Sequence, residues 1–267
     1  MTLIHAFHLG IIQGLTEFIP VSSTAHLLIG QRLFGLPADD AMFSFLVIIQ
    51  LGTLISLFAF YWKDLLAIAK ATLDFRRSTA ERNLGLYIVI ATIPALLAGY
   101  FLKDAIEALF RQPMLQASIR LFAAAVLLTL AEWFTRRDRS LDSMRWFDAL
   151  FVGVMQILSV FPGASRSGTT ISGGMFRGFD RPSAARFAFL MSVPVLFAAG
   201  GYEMLDVIRM PNLGQFLPLL ALGFATAAVV GWLAIKWLIA YLSRRSLYVF
   251  AIYCVIAGLV CVISIVI

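Results

Sequence analysis

The feature that most limits what this chain can become is a series of apolar runs near or above bilayer-crossing length, separated by loops too short for a soluble domain. Residues 41–62, 84–102, 115–134, 184–208, 216–238 and 247–267 each approach or exceed the roughly 20 residues that a membrane helix needs. In lipid every backbone N–H and C=O must be satisfied, and a run of this length does so within itself only as an α-helix. Charged residues make up 13% of the chain, where a soluble domain carries about 25%. The expected fold is therefore an all-α integral membrane protein with six full transmembrane helices, built as one polytopic domain over residues 1–267. The formal charge of +6 does not point to nucleic acid, because the basic residues lie in short clusters between apolar runs, as topology signals do. Cys254 and Cys261 share one apolar run, about 10 Å apart along a helix axis, too far for a disulfide, and read as small hydrophobes. No cleavable signal peptide is expected, since residues 1–9 lack a basic start and the run that follows contains Gln13 and Glu17.

Two further apolar stretches are broken by small and polar residues. Residues 2–18 read as a helix, Ile19-Pro20-Val21-Ser22-Ser23-Thr24 interrupts it, and 25–36 resumes. Residues 146–161 repeat the pattern, broken at 162–167 and resumed over 168–179. Neither half of either pair spans comfortably, so each reads as a re-entrant helix-turn-helix. Basic clusters follow the first span (Lys63, Lys70, Arg76, Arg77, Arg82), the third (Arg136, Arg137, Arg139, Arg145) and the fifth (Lys236, Arg244, Arg245). Such loops face the cytoplasm, which places both termini outside and brings the two broken stretches in from opposite faces. Sliding residues 10–18 onto 153–161 matches Gly, Gln, Leu and Phe at one offset, which also sets Ser22 on Ser165, Ser23 on Arg166 and Gly30 on Gly173. The chain reads as two inverted copies, about 1–110 and 146–267, a plan that transporters use with the site at the repeat interface.

The residues at the breaks carry chemistry. Pro162-Gly163-Ala164-Ser165-Arg166-Ser167-Gly168-Thr169-Thr170 puts a charge at membrane depth, which is costly and points to function. A helix opening there turns backbone N–H groups and its positive dipole end toward the turn, a cradle for an anion, with Arg166 as a planar fork suited to phosphate and Ser165, Ser167, Gly168 and Thr170 around it. In the other break Gln13 and Glu17 share a helix face, Ser22, Ser23 and Thr24 exceed what one N-cap needs, and His26 lies one turn beyond Ser23. Together these supply an acid, a hydroxyl nucleophile, an imidazole, an arginine clamp and two helix N-termini, a set suited to phosphoryl transfer. His5, His8, Glu203, Asp206 and Glu132 read as interfacial. No closed metal site is spaced in the sequence, and a divalent ion, Mg²⁺ or Ca²⁺, would come with a diphosphate and be met by Glu17.

The segments Gln13-Gly-Leu-Thr-Glu17-Phe-Ile-Pro-Val-Ser-Ser-Thr-Ala-His26, Ile49-Gln50-Leu51-Gly52 and Pro162-Gly-Ala-Ser-Arg-Ser-Gly-Thr-Thr170 resemble the bacterial undecaprenyl-diphosphatase family of the BacA or UppP type. The likeness runs through essentially the whole chain. It implies an inner-membrane hydrolase converting undecaprenyl diphosphate to undecaprenyl phosphate, which renews the lipid carrier of peptidoglycan synthesis, with bacitracin resistance as an associated trait. By position, the family's acidic motif falls on Gln13 and Glu17, its serine and histidine on Ser23 and His26, and its arginine motif on Ser165 and Arg166. Many members have a glutamate at the place of Gln13, so Glu17 is the motif's one carboxylate here. The expected partners are the polyprenyl diphosphate, the bilayer and, as an allowed assembly, a second copy in a homodimer. Attack by Ser23, by His26 or by water uses the same residues, and a carrier that moves a lipid phosphate between leaflets is the alternative from another class.

Overall fold

The computed structural model describes residues 1–74, 79–101, 113–159, 165–208 and 213–266. Among them the chain forms ten α-helices: α1 (Leu3–Phe18), α2 (Ser23–Leu33), α3 (Asp40–Leu73), α4 (Ala80–Phe101), α5 (Pro113–Phe134), α6 (Trp146–Ile157), α7 (Arg166–Phe176), α8 (Arg181–Ile208), α9 (Leu213–Leu242) and α10 (Tyr248–Val266). A single 3-10 turn (Leu141–Ser143) and one isolated bridge between Arg139 and Phe179 complete the regular structure of the described residues. Five helices, α3, α4, α5, α9 and α10, are long and apolar enough to cross a membrane.

The broken stretches are helix pairs, as expected. Proline lacks an amide hydrogen and cannot continue a helix, and α1 stops two residues before Pro20; α2 then begins at Ser23, capped by Ser22. α3 departs from its expected end at 62. The helix runs to Leu73, carrying Lys63 and Lys70, and the only sign of a boundary is a bend at Tyr61 (φ −105°, ψ 19°). α8 shows where its apolar residues go: Ala184, Ala185, Phe187, Ala188, Phe189, Leu190 and Met191 are all buried in the protein core. By contrast α4 and α10 display Val89, Ile93 and Leu97, and Val249, Ile252, Ile256 and Val260, on the outside. An apolar outer face of this kind suits lipid.

The helix order is a short pair followed by three long helices, then the same again. Contacts follow the same rhythm: α1 packs on α9 and α6 on α4, α3 on α9 and α8 on α4, while α5 meets α10 and α3 meets α8. Glycines allow the closest approaches. A Cβ on Gly10 would lie 2.6 Å from the Gly223 carbonyl oxygen of α9, and one on Gly153 would lie 2.5 Å from that of Ala91 in α4. On α3, a Cβ at Gly52 would come to 2.3 Å of the Phe224 carbonyl oxygen.

Several expectations are altered by the packing. Glu132 is not an interfacial marker. Its carboxylate is fully buried and accepts from Arg181 Nε (2.6 Å) and Nη2 (2.7 Å), from the Leu247 amide (2.7 Å) and from Arg137. A buried charge persists only when paired in this way. The basic residues Arg137, Arg139, Arg177 and Arg181 are thus ion-pair partners within the fold. Cys254 and Cys261 are buried free thiols. The side chains of Glu203 and Asp206, the loop at 103–111, Arg76, Arg77, Arg209 and the opening Pro162-Gly163-Ala164 of the arginine motif lie outside the described residues.

Candidate active site

Local geometry at the first break delivers Glu17 in the last turn of α1. Ile19 leaves the helix in an extended conformation (φ −63°, ψ 131°), and the Val21 amide donates back to the Ile19 carbonyl at 2.7 Å. Ser22 then takes φ 69°, a left-handed conformation that costs a non-glycine residue energy and needs support from its surroundings. Its hydroxyl accepts the Ala25 amide at 3.4 Å, and its carbonyl accepts both the His26 amide at 3.3 Å and His26 Nδ1 at 2.9 Å. The turn reverses the chain and makes Ser23 the first residue of α2.

At the second break the described residues resume at Ser165. Ser165 caps α7 by accepting the Gly168 amide at 3.2 Å, and Arg166 is the first residue of the helix. Ser165 and Ser167 hydroxyl oxygens lie 3.2 Å apart, and Ser167 Oγ donates to the Ile19 carbonyl at 3.3 Å. Gly168 faces the first break too, its Cβ position lying 3.8 Å from the Pro20 carbonyl oxygen. The start of α7 therefore abuts the α1–α2 turn, and the two broken stretches meet.

They meet at one carboxylate. Arg166 Nη2 donates to Glu17 Oε1, while Gln13 Nε2 and Ser23 Oγ each donate to Oε2 at 2.7 Å. Glu17 is 5% exposed and Arg166 19%, with Gln13 wholly buried. Two helix N-termini, each carrying partial positive charge, thus present their first side chains, Ser23 and Arg166, to opposite oxygens of the same acid. Phe18, the next residue of α1, packs edge-on to Phe189 of α8 with centroids 5.4 Å apart.

The remaining sequence candidates divide. Ser22 and Ser165 are caps beside the cluster, and Ser167 and Gly168 line the contact between the turns. The Thr170 hydroxyl is committed to the α7 backbone, donating to the Arg166 carbonyl at 2.8 Å. Thr24 is half-buried and makes no hydrogen bond to the cluster among the described residues. His26 does not bond to Ser23: its Nε2 is 2.7 Å from the Tyr253 hydroxyl of α10, with the two rings stacked at 5.6 Å. Tyr253 escaped sequence reasoning, as did Asp148. Nothing in the sequence marks Tyr253, whereas Asp148 was signalled by being an acid in the first turn of a helix entered from a basic segment.

Asp148 fastens the far end of the α6–α7 pair. It accepts from Arg177 Nε at 2.7 Å, Arg139 Nη2 at 2.8 Å and the Arg145 amide at 3.0 Å, and Arg139 also donates to the Arg177 carbonyl at 2.7 Å. Burial works to raise the Asp148 carboxyl, but the arginine and amide hydrogen bonds prevail and hold it below the usual carboxylate range. Since Arg177 caps the C-terminus of α7, this clamp fixes the helix that begins with Arg166.

Gln13 Oε1 is buried without a hydrogen-bond partner, next to the Glu17 carboxylate that its own Nε2 contacts. An orphaned amide oxygen beside a carboxylate suits a hard cation, which also takes phosphate oxygens. Among the described residues no group of three or more His, Cys, Asp or Glu side chains could enclose an ion.

The chain is similar to known proteins along most of its length. The sequence model for the family described as bacitracin resistance protein BacA matches residues 6–260. An undecaprenyl-diphosphatase from Desulforudis audaxviator is 40% identical over 251 residues, covering 94% of this chain and 93% of that protein. Undecaprenyl-diphosphatases from Anaeromyxobacter dehalogenans (41% identical; 97% of this chain, 90% of that protein) and Mycobacterium marinum (39%; 94% and 90%) are similar along the same length.

Proposed function

The chain belongs to the BacA family of bacitracin resistance proteins, and from that premise we propose that it is a multi-pass membrane phosphatase that hydrolyses undecaprenyl diphosphate to undecaprenyl phosphate and inorganic phosphate. The observation that carries this reading is the convergence of Arg166, Ser23 and Gln13 on Glu17, from two separate helix breaks. Release of the lipid monophosphate renews the carrier used for peptidoglycan synthesis, which accounts for bacitracin resistance. The enzyme sits in the bacterial inner membrane with both termini on the periplasmic side. α8, 28 residues long, serves as the sixth span, and the two short pairs are re-entrant. The repeated helix order and its matching contacts support an inverted-repeat origin.

In the mechanism, the terminal phosphate enters between the two helix N-termini, and Arg166 turns part of its fork from Glu17 to the phosphate oxygens. Ser23 Oγ attacks the terminal phosphorus as the bond to the bridging oxygen breaks, and polyprenyl phosphate leaves. The serine proton passes to Glu17 Oε2, the acceptor it already faces at 2.7 Å. Water then attacks the phosphoserine, giving its proton to His26 Nε2, and Glu17 returns the proton to Ser23 as phosphate departs. Glu17 and Gln13 Oε1 would hold Mg²⁺ or Ca²⁺ brought by the substrate, and the ion would neutralise charge building on the phosphate oxygens.

The test is release of inorganic phosphate from undecaprenyl diphosphate by purified protein in detergent, with no ion gradient. Wild type should turn over and folded Glu17→Ala should lose nearly all activity. Turnover retained by Glu17→Ala would reject the site, and movement of labelled lipid between leaflets without phosphate release would identify a carrier instead.

A further inference from the structure

Resting on the hydrolase reading, the geometry points to Tyr253 as a positioning residue that holds the His26 ring in one orientation and one tautomer for the step in which Nε2 accepts a proton.

Three observations build the case. A backbone carbonyl can only accept, so the 2.9 Å contact between His26 Nδ1 and the Ser22 carbonyl places the hydrogen on Nδ1. In the neutral ring the lone pair is then on Nε2, and the Tyr253 hydroxyl at 2.7 Å donates to it. The phenol ring lies nearly parallel to the imidazole, at 11° and 5.6 Å, which restricts rotation of the histidine ring. Both partners of the imidazole are thus defined, one by the strained Ser22 turn and one by a helix at the other end of the chain.

The arrangement also accommodates a change of charge. Because Oη occupies the one lone pair of Nε2, the proton arrives through the phenol: Oη takes it from water as the phenol proton passes to Nε2, after which Nε2–H donates to Oη and Nδ1–H stays on the Ser22 carbonyl. Neither nitrogen loses its hydrogen bond. α2 and α10 are bridged again by Arg32 Nη2, which donates to the Ser264 carbonyl at 3.0 Å, so the two helices are fixed relative to each other at a second point. Tyr253 itself is 45% exposed on the outer side of α10.

The test uses the full-length protein with Tyr253→Phe, which keeps the stacked ring and removes only the hydroxyl. The expected result is a fall in kcat of about tenfold, part of what a general base contributes, with KM within about twofold of wild type. In nitrogen-15 spectra of histidine-labelled protein, His26 should change from a single Nδ1–H form to mixed tautomers. The chain has three histidines, and His26→Gln identifies the signal. Unchanged kcat, an effect on KM alone, or an unaltered His26 spectrum would each overturn the inference. A wild type that releases no phosphate would instead overturn the hydrolase reading, and the spectra would still decide whether Tyr253 sets the tautomer.

Discussion

Replacing Arg166 by lysine and by alanine separates the two things this side chain supplies, a charge and a planar fork. Alanine leaves Glu17, 5% exposed, facing two neutral donors and no cation. Removing one partner of a buried ion pair costs about 3–5 kcal/mol, and the hydrogen bonds retained from Gln13 and Ser23 put this case at the lower end, about 3 kcal/mol. Lysine keeps the charge beside Glu17 and loses hydrogen bonds, at a cost of about 1 kcal/mol. Turnover should respond more steeply than stability. Arginines that stabilise a transferring phosphoryl group contribute about 10³–10⁵ in kcat, so alanine should fall by at least about 10³-fold. Lysine cannot offer two donors in one plane to both Glu17 and a phosphate, and should fall by about 10²-fold. The assay is phosphate release from undecaprenyl diphosphate in detergent, run beside thermal unfolding of each variant. A folded Arg166→Ala protein turning over within tenfold of wild type would refute the clamp, and a lysine variant equal to wild type would refute the need for a fork.

Other consequences lie outside the catalytic cluster. Asp148→Ala strips the shared carboxylate from Arg139 and Arg177, whose side chains are about a third exposed and so partly solvated; a loss of about 2–3 kcal/mol is expected, read as a lowered unfolding midpoint, and an unchanged midpoint would reject the clamp. Because the folded Asp148 carboxyl sits below its ordinary value, its contribution is complete at neutral pH and disappears as pH falls through that lowered folded value; the stability difference between wild type and Asp148→Ala should therefore narrow only in acid, and a difference that narrowed toward alkaline pH would contradict the assignment. Gly52→Ala places a methyl 2.3 Å from the Phe224 carbonyl oxygen and should cost about 1–3 kcal/mol by forcing α3 from α9. Gly99→Ala, with nothing within 4 Å, is the control that should cost nothing.

The long helices and both breaks were legible because they depend on local properties: apolar length, proline, and hydroxyl side chains that cap a following helix. Ser22 and Ser165 sit at the N-cap positions that composition suggests. Gln13, Glu17, Ser23 and Arg166 could be chosen from the sequence because a polar side chain at membrane depth requires a reason. Their partners could not be chosen that way. Whether Ser23 turns to His26, one helical turn along, or to Glu17, on the preceding helix, depends on the Ser22 backbone angle, and the choice falls on Glu17 at 2.7 Å. Tyr253 lies 227 residues from His26, and a tyrosine near the end of an apolar helix has an adequate explanation in the membrane interface alone. The end of α3 was missed for a different reason: charge marks where a chain leaves lipid, while a helix ends only where its hydrogen bonds stop, and these persist to Leu73.

The offset that aligned the two halves now bears on the charge of the site. Ser23 and Arg166 occupy equivalent places in the proposed copies, and each is the first residue of a helix of 11 residues. The equivalent of Glu17 in the second copy is Val160, so one acid serves both. Two acids facing each other across the copies would leave one arginine with two carboxylates, and the surplus negative charge would repel the diphosphate that the helix N-termini attract. With one acid, the pair Glu17–Arg166 is neutral before substrate binds. Gln13 keeps to this balance: as an amide it donates to Glu17 without adding charge. A glutamate at position 13 would restore a second acid and, with it, a requirement for a cation to be present whenever a diphosphate is bound. Gln13→Glu should therefore make turnover more dependent on Mg²⁺ or Ca²⁺ than in wild type, and phosphate release equally sensitive to chelator in both proteins would show that the arginine alone balances the site.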